Sequence, residues 1–106
     1  MFRGSATYYD VEAGITACGK QCSDNDFICA LNSQQFDPQT PSGNPNNNSL
    51  CGKKISVTGP RGTETVTIVD RLPTGGHGDL DLSKAAFERI VGPLSTGRAD
   101  VKWKYL

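Results

Sequence analysis

A chain of 106 residues is long enough for one domain, spanning 1–106, with one modest core. Its 11 Lys and Arg balance 11 Asp and Glu, so no basic stripe calls for nucleic acid or an anionic membrane surface as partner. No apolar run approaches the roughly 20 residues of a transmembrane helix, and Met1-Phe2-Arg3-Gly4 lacks the apolar stretch of a signal peptide, which predicts a start on the mature chain.

Ser5 to Tyr9 (SATYY) predicts a first strand, with Tyr8 and Tyr9 on opposite faces. Asp10 to Gly14 reads as a turn. Phe27 to Leu31 (FICAL) is a short apolar run with the length of a buried strand, and Ser33 to Phe36 suits one helical turn. Asp37 to Ser49 (DPQTPSGNPNNNS) has no hydrophobic period and is long for a connection in a small domain. It ends in the glycosylation sequon Asn47-Asn48-Ser49. Lys54 to Thr58 alternates as a strand, and Gly59-Pro60-Arg61-Gly62 forms a hairpin into the next.

The stretch from Thr63 to Ser83 carries the chemistry. Thr63 to Val69 is rich in β-branched residues and predicts a half-buried strand closed by Asp70. Pro73, Gly75, Gly76 and Gly78 interrupt regular structure. Leu80 and Leu82 then alternate with Asp81, and Ser83 is placed to cap a helix from Lys84 that Gly92-Pro93 stops. The loop can bring Asp70 near Asp81, and two carboxylates aimed at one place are costly unless solvated, hydrogen-bonded or sharing a proton. A last strand alternates Ala99, Val101, Trp103 and Tyr105 with Asp100, Lys102 and Lys104. Several short strands, one good helix and many turns predict a small β-barrel.

Cys18, Cys22, Cys29 and Cys51 make an even count in a small chain, which reads as two disulfides in an oxidising, extracellular compartment. Four cysteines allow three connectivities, and spacing alone does not choose among them. A zinc site is disfavoured because no paired Cys-x-x-Cys knuckles occur. No metal or other cofactor is expected.

In chain order the sequence carries Ser5-Ala6-Thr7-Tyr8-Tyr9, Ala17-Cys18-Gly19, Cys51-Gly52-Lys53-Lys54-Ile55, Val69-Asp70-Arg71, Gly78-Asp79-Leu80-Asp81-Leu82-Ser83, Ala86-Phe87 and Val101-Lys102-Trp103. Together these resemble the double-psi β-barrel domain of the expansin, loosenin and rare-lipoprotein-A group over almost the whole chain. No counterpart of the second, β-sandwich domain of full expansins follows Leu106, so loosenin-like single-domain proteins are the nearest resemblance. The resemblance implies a mainly β fold, a six-stranded double-psi β-barrel with one or two short helices and a shallow polar groove. Thr7, Asp70 and Asp81 fall on the family's groove positions. Leu72 and Gly75 stand where relatives often carry an aromatic residue or a cysteine. The family pairing implies a Cys18–Cys51 disulfide, which leaves Cys22–Cys29 as the second bridge.

Within that frame Asp81 is the candidate acid or essential polar contact, and Asp70 its companion. Thr7, Tyr8, Tyr9, Asp10, Asp79 and Trp103 are candidate sugar contacts, although Asp79 reads otherwise as solvated and a Trp in a final strand is more often core. Asp10 occupies the place where the related family-45 glycoside hydrolases carry a base, so Asp10 and Asp81 form a candidate inverting pair. His77, between glycines, reads as solvated. The expected function is that of a secreted, monomeric protein that loosens insoluble β-linked polysaccharide (cellulose, chitin or hemicellulose) without hydrolysis. The alternatives are a weak glycosidase or lytic transglycosylase acting through Asp81, and a cysteine-protease inhibitor acting through the loops Asp37 to Ser49 or Pro73 to Gly78.

Overall fold

A computed structural model describes residues 1–40 and 48–106. Six strands close into a mixed barrel in the order β1-β5-β2-β4-β3-β6: β1 Phe2–Tyr8, β2 Ile28–Asn32, β3 Lys54–Gly59, β4 Gly62–Leu72, β5 Leu80–Leu82 and β6 Ala99–Tyr105. β1 runs parallel to β5, β2 runs parallel to β4, and the other neighbours are antiparallel. Two helices accompany them, α1 Ser33–Phe36 and α2 Lys84–Ile90. No helix among the described residues is long and apolar enough to cross a membrane. The sequon residue Asn47 and most of the polar loop before Asn48 lie outside the described residues.

Alternation sorts the strands into an inner and an outer face. Ala6, Cys29, Leu31, Ile55, Val57, Val66, Ile68, Leu80, Leu82 and Trp103 fill the interior with Phe87 and Ile90 of α2. A smaller cluster of Val11, Ile28 and Val69 lies apart from it. α2 begins as the sequence predicts, with Ser83 Oγ accepting from Ala86 N. β1 starts three residues earlier than its sequence signal because Phe2, Arg3 and Gly4 pair with Trp103, Lys102 and Val101 of β6. β4 likewise runs past Asp70 to Leu72, because β2 pairs with it there after β3 has ended.

The predicted Cys18–Cys51 bridge is present, with Cα atoms 5.7 Å apart. The expected Cys22–Cys29 bridge is not: both are free thiols. The reason is facial. Cys29 projects into the sealed interior, whereas Cys22 packs on the outer cluster beside Ile28, the preceding residue of the same strand. Consecutive strand residues face opposite ways, so the sheet itself separates the two sulfurs.

Trp103 is also corrected as a sugar contact. Its ring is fully buried, and its indole N–H donates to Gly78 O at 2.9 Å. It anchors the glycine loop from inside. Gly78 lies so close to β1 that a Cβ there would run into the Arg3 carbonyl, and its φ of 93° already excludes most side chains. Gly78 N donates to Gln35 Oε1 at 3.0 Å, and Asn32 Nδ2 reaches both Gln35 Oε1 and Asp79 O. α1 and its cap thus hold the loop that leads into β5.

Candidate functional site

One cross-strand row builds the site. Thr7 of β1 pairs with Asp81 of β5, Asp81 pairs with Ala30 of β2, and Ala30 pairs with Asp70 of β4. Residues opposite one another in a sheet share a face, so all four look outward while Ala6, Leu80, Leu82, Cys29 and Leu31 look in. Ala30 provides a small, buried floor between the two acids. Two strand spacings put the Cα atoms of Asp70 and Asp81 about 10 Å apart.

Asp70 reaches this face only because β4 is irregular. Val66 and Ile68 point inward, so strict alternation would send Asp70 inward with them. The register jumps instead, from Cys29 opposite Ile68 to Ala30 opposite Asp70. Val69 is the extra residue, and a bulge of this kind re-aims the side chain that follows it. Asp70 Oδ1 accepts from Ala17 N at 2.7 Å and Arg71 N at 2.9 Å, and Oδ2 accepts from Tyr9 Oη at 3.0 Å. The acid therefore ties the Ala17 loop and the Tyr9 ring to the end of the barrel. Burial first, and then the Asp70 charge, hold the Tyr9 hydroxyl far above its ordinary value, so it stays a donor.

Asp81 is held more loosely. Its Oδ1 accepts from Thr7 Oγ1 at 2.8 Å, and no hydrogen bond from the described residues falls on Oδ2. Desolvation pushes its carboxyl above the usual range. The Thr7 bond opposes this, the Asp70 charge adds to it, and the Arg98 charge opposes it. Arg98 lines the cleft beside Thr7 with Ser5, Leu72, Thr74 and Gly75, in a space of about 60 Å³. Sequence reading missed Arg98. It lies just before the alternating run of β6, where the sequence offers only a basic residue beside Gly97.

The remaining candidates divide clearly. Alternation places Tyr9, not Tyr8, on the Thr7 face; Tyr8 turns inward and sets its ring 5.0 Å from that of Phe87. Asp79, read from sequence as solvated, takes Ser5 N on Oδ1 and Gly76 N on Oδ2, each at 2.8 Å, and so clamps the glycine loop to β1. Asp10 is exposed, precedes a 3-10 turn over Val11–Ala13, and makes no capping bond with its side chain. His77 is exposed, with its ring 5.8 Å from Phe2. No cluster of three metal-ligating side chains occurs among the described residues.

No family model matches the chain. A papain inhibitor from Streptomyces mobaraensis is 32% identical over 97% of this chain and 70% of its own length. An expansin from Bacillus subtilis is 41% identical, over 53% of this chain but 24% of its own length. A putative EG45-like domain protein of Arabidopsis thaliana is 30% identical over 87% of this chain and 74% of its own. Among solved structures, the Streptomyces papain inhibitor superposes over 100% of this chain and 93% of its own, with a TM-score of 0.83 at 31% identity. A mutant expansin of Clavibacter michiganensis in complex with cellohexaose superposes over 99% of this chain and 50% of its own, with a TM-score of 0.77 at 25% identity. With its closed six-stranded barrel and these relatives, the chain belongs to the expansin-like double-psi β-barrel family.

Proposed function

We propose that this protein is exported, binds β-linked polysaccharide along the Thr7–Asp81–Ala30–Asp70 row, and loosens chain packing without cutting. The observation that carries the reading is the Thr7–Asp81 pair, half-exposed on an outward sheet face, with one carboxylate oxygen left for a sugar hydroxyl. The likeness to an expansin solved with cellohexaose supports a glucan as ligand, and the Cys18–Cys51 disulfide supports an oxidising compartment.

Hydrolysis by inversion needs a second carboxylate free to take a proton from water. Asp70 receives two main-chain amides on Oδ1 and a tyrosine hydroxyl on Oδ2, so three of its roughly four acceptor sites are engaged. Asp10 is exposed and its side chain makes no capping bond among the described residues. Asp81 therefore serves as a fixed polar contact, and Tyr9 presents an aromatic edge beside it. Asp81→Ala is expected to abolish retention on insoluble cellulose and weakening of filter paper while leaving the fold intact. New reducing ends or anhydro-sugars in the same tubes would turn the reading to a lytic enzyme, and an equally active Asp81→Ala protein would overturn it.

The full-length likeness to the papain inhibitor favours a second reading, inhibition of a cysteine protease. The exposed Pro73–His77 tip is the candidate insert, since the glycine loop is braced by Trp103, Gln35 and Asp79. Papain titrated with this protein to high micromolar concentration decides that reading, and undiminished activity removes it.

A further inference from the structure

β1 does not end its outward row at Thr7. Ser5 and Arg3 continue it, and Ser5 lines both the Thr7 cleft and a second, larger cavity of about 550 Å³ over β1, β6 and β3. That cavity is walled by Arg3, Thr58, Pro60, Asp100 and Lys102. Thr7 to Arg3 is four residues, about 13 Å of strand, and the two spaces adjoin at Ser5.

The charges in the second space are arranged against themselves. Arg3 lies directly opposite Lys102 in the β1–β6 register, and like charges in that position repel. Both are exposed, and neither joins an ion pair among the described residues. Asp100, two residues along β6 and opposite Ser5, is the single acid in the wall. Two cations and one anion leave a local surplus of one positive charge. At the junction with the Thr7 cleft Arg98 is balanced by Asp79, whose carboxylate accepts from Ser5 N and Gly76 N, so the surplus belongs to the Arg3–Lys102 end. A guanidinium beside an ammonium suits a monoanionic oxygen ligand, while Asp100 and Thr58 can meet hydroxyls.

We propose that this cavity is an acidic-glycan subsite, in which Arg3 and Lys102 hold the carboxylate of a uronate or the sulfate ester of a polysaccharide lying along β1. The inference rests on the glycan reading of the neighbouring groove and refines its substrate class: a β-linked glycan that carries acidic groups is bound more tightly than a neutral one. Bulk neutrality hides this preference, because the surplus is confined to one face.

Affinity electrophoresis through gels holding polygalacturonate, dextran sulfate or neutral hydroxyethylcellulose tests it. The protein should bind at least one acidic glycan about tenfold more tightly than the neutral one, and whichever it prefers identifies the anion. Arg3→Gln/Lys102→Gln should bring the acidic-to-neutral ratio close to one. The matched double variant Lys54→Gln/Lys104→Gln removes the same charge from strand positions that do not line the cavity, and should change the ratio less than twofold. All four positions are exposed, and melting curves check that each double variant folds. No acidic preference, or equal losses in the two double variants, overturns the subsite. Cellulose retention unaffected by Asp81→Ala, with the Arg3/Lys102 effect intact, would instead sink the groove reading and leave the subsite standing.

Discussion

Asp81 sits between Leu80 and Leu82, both fully buried, on a strand of three residues. Half-burial raises its carboxyl above the unfolded value of about 3.9. Its contribution to stability is therefore complete below the unfolded value and is lost as pH rises through the folded one. Asp81→Asn keeps an acceptor for Thr7 and removes that loss. The variant should melt above the parent at pH 7, with the gap closing toward roughly pH 4, while glycan retention falls. A melting temperature below the parent across that range would refute the assignment of burial as the dominant cause. Tyr9→Phe leaves Asp70 Oδ2 without its donor and should cost about 1.5 kcal/mol in urea unfolding.

Loops that lead into strands do the positioning at the next scale. The glycine loop is clamped from three sides, by Trp103 Nε1, Gln35 Oε1 and the Asp79 carboxylate. Gly78→Ala combines a φ of 93° with a collision against the Arg3 carbonyl. It should lower stability by at least about 2 kcal/mol and shift β5, so glycan binding falls with it. Gly62 also has positive φ but has open space where a Cβ would go, which makes Gly62→Ala the control for strain alone. The Cys18–Cys51 bridge closes a loop with a sequence separation of 33. Replacing both cysteines with serine should remove about 3–4 kcal/mol in the chain-entropy account, read as a lower urea midpoint.

For the whole molecule, the two free thiols report on which face is which. Cys29 is fully buried and its thiol is pushed far up by burial; Cys22 is half-exposed and pushed up more modestly, first by desolvation. Alkylation of the native protein should modify one thiol slowly at neutral pH and a second only after unfolding, with two cysteines remaining in the bridge. An intact mass without any alkyl addition after unfolding would restore Cys22–Cys29. Local chemistry was legible in the chain itself. Alternation around Asp81, the Ser83 cap and the run from Ala99 to Tyr105 announced barrel strands and the helix start, because each depends on residues a few positions apart, whereas the Cys18–Cys51 bridge, with a sequence separation of 33, was implied only by the family resemblance. Three-dimensional pairing decided the rest. The bulge at Val69 turned Asp70 outward, the sheet parted Cys22 from Cys29, Trp103 went to the core, and Arg3 came to lie opposite Lys102. Those outcomes depend on register between strands up to a chain length apart, which periodicity within a single strand does not encode.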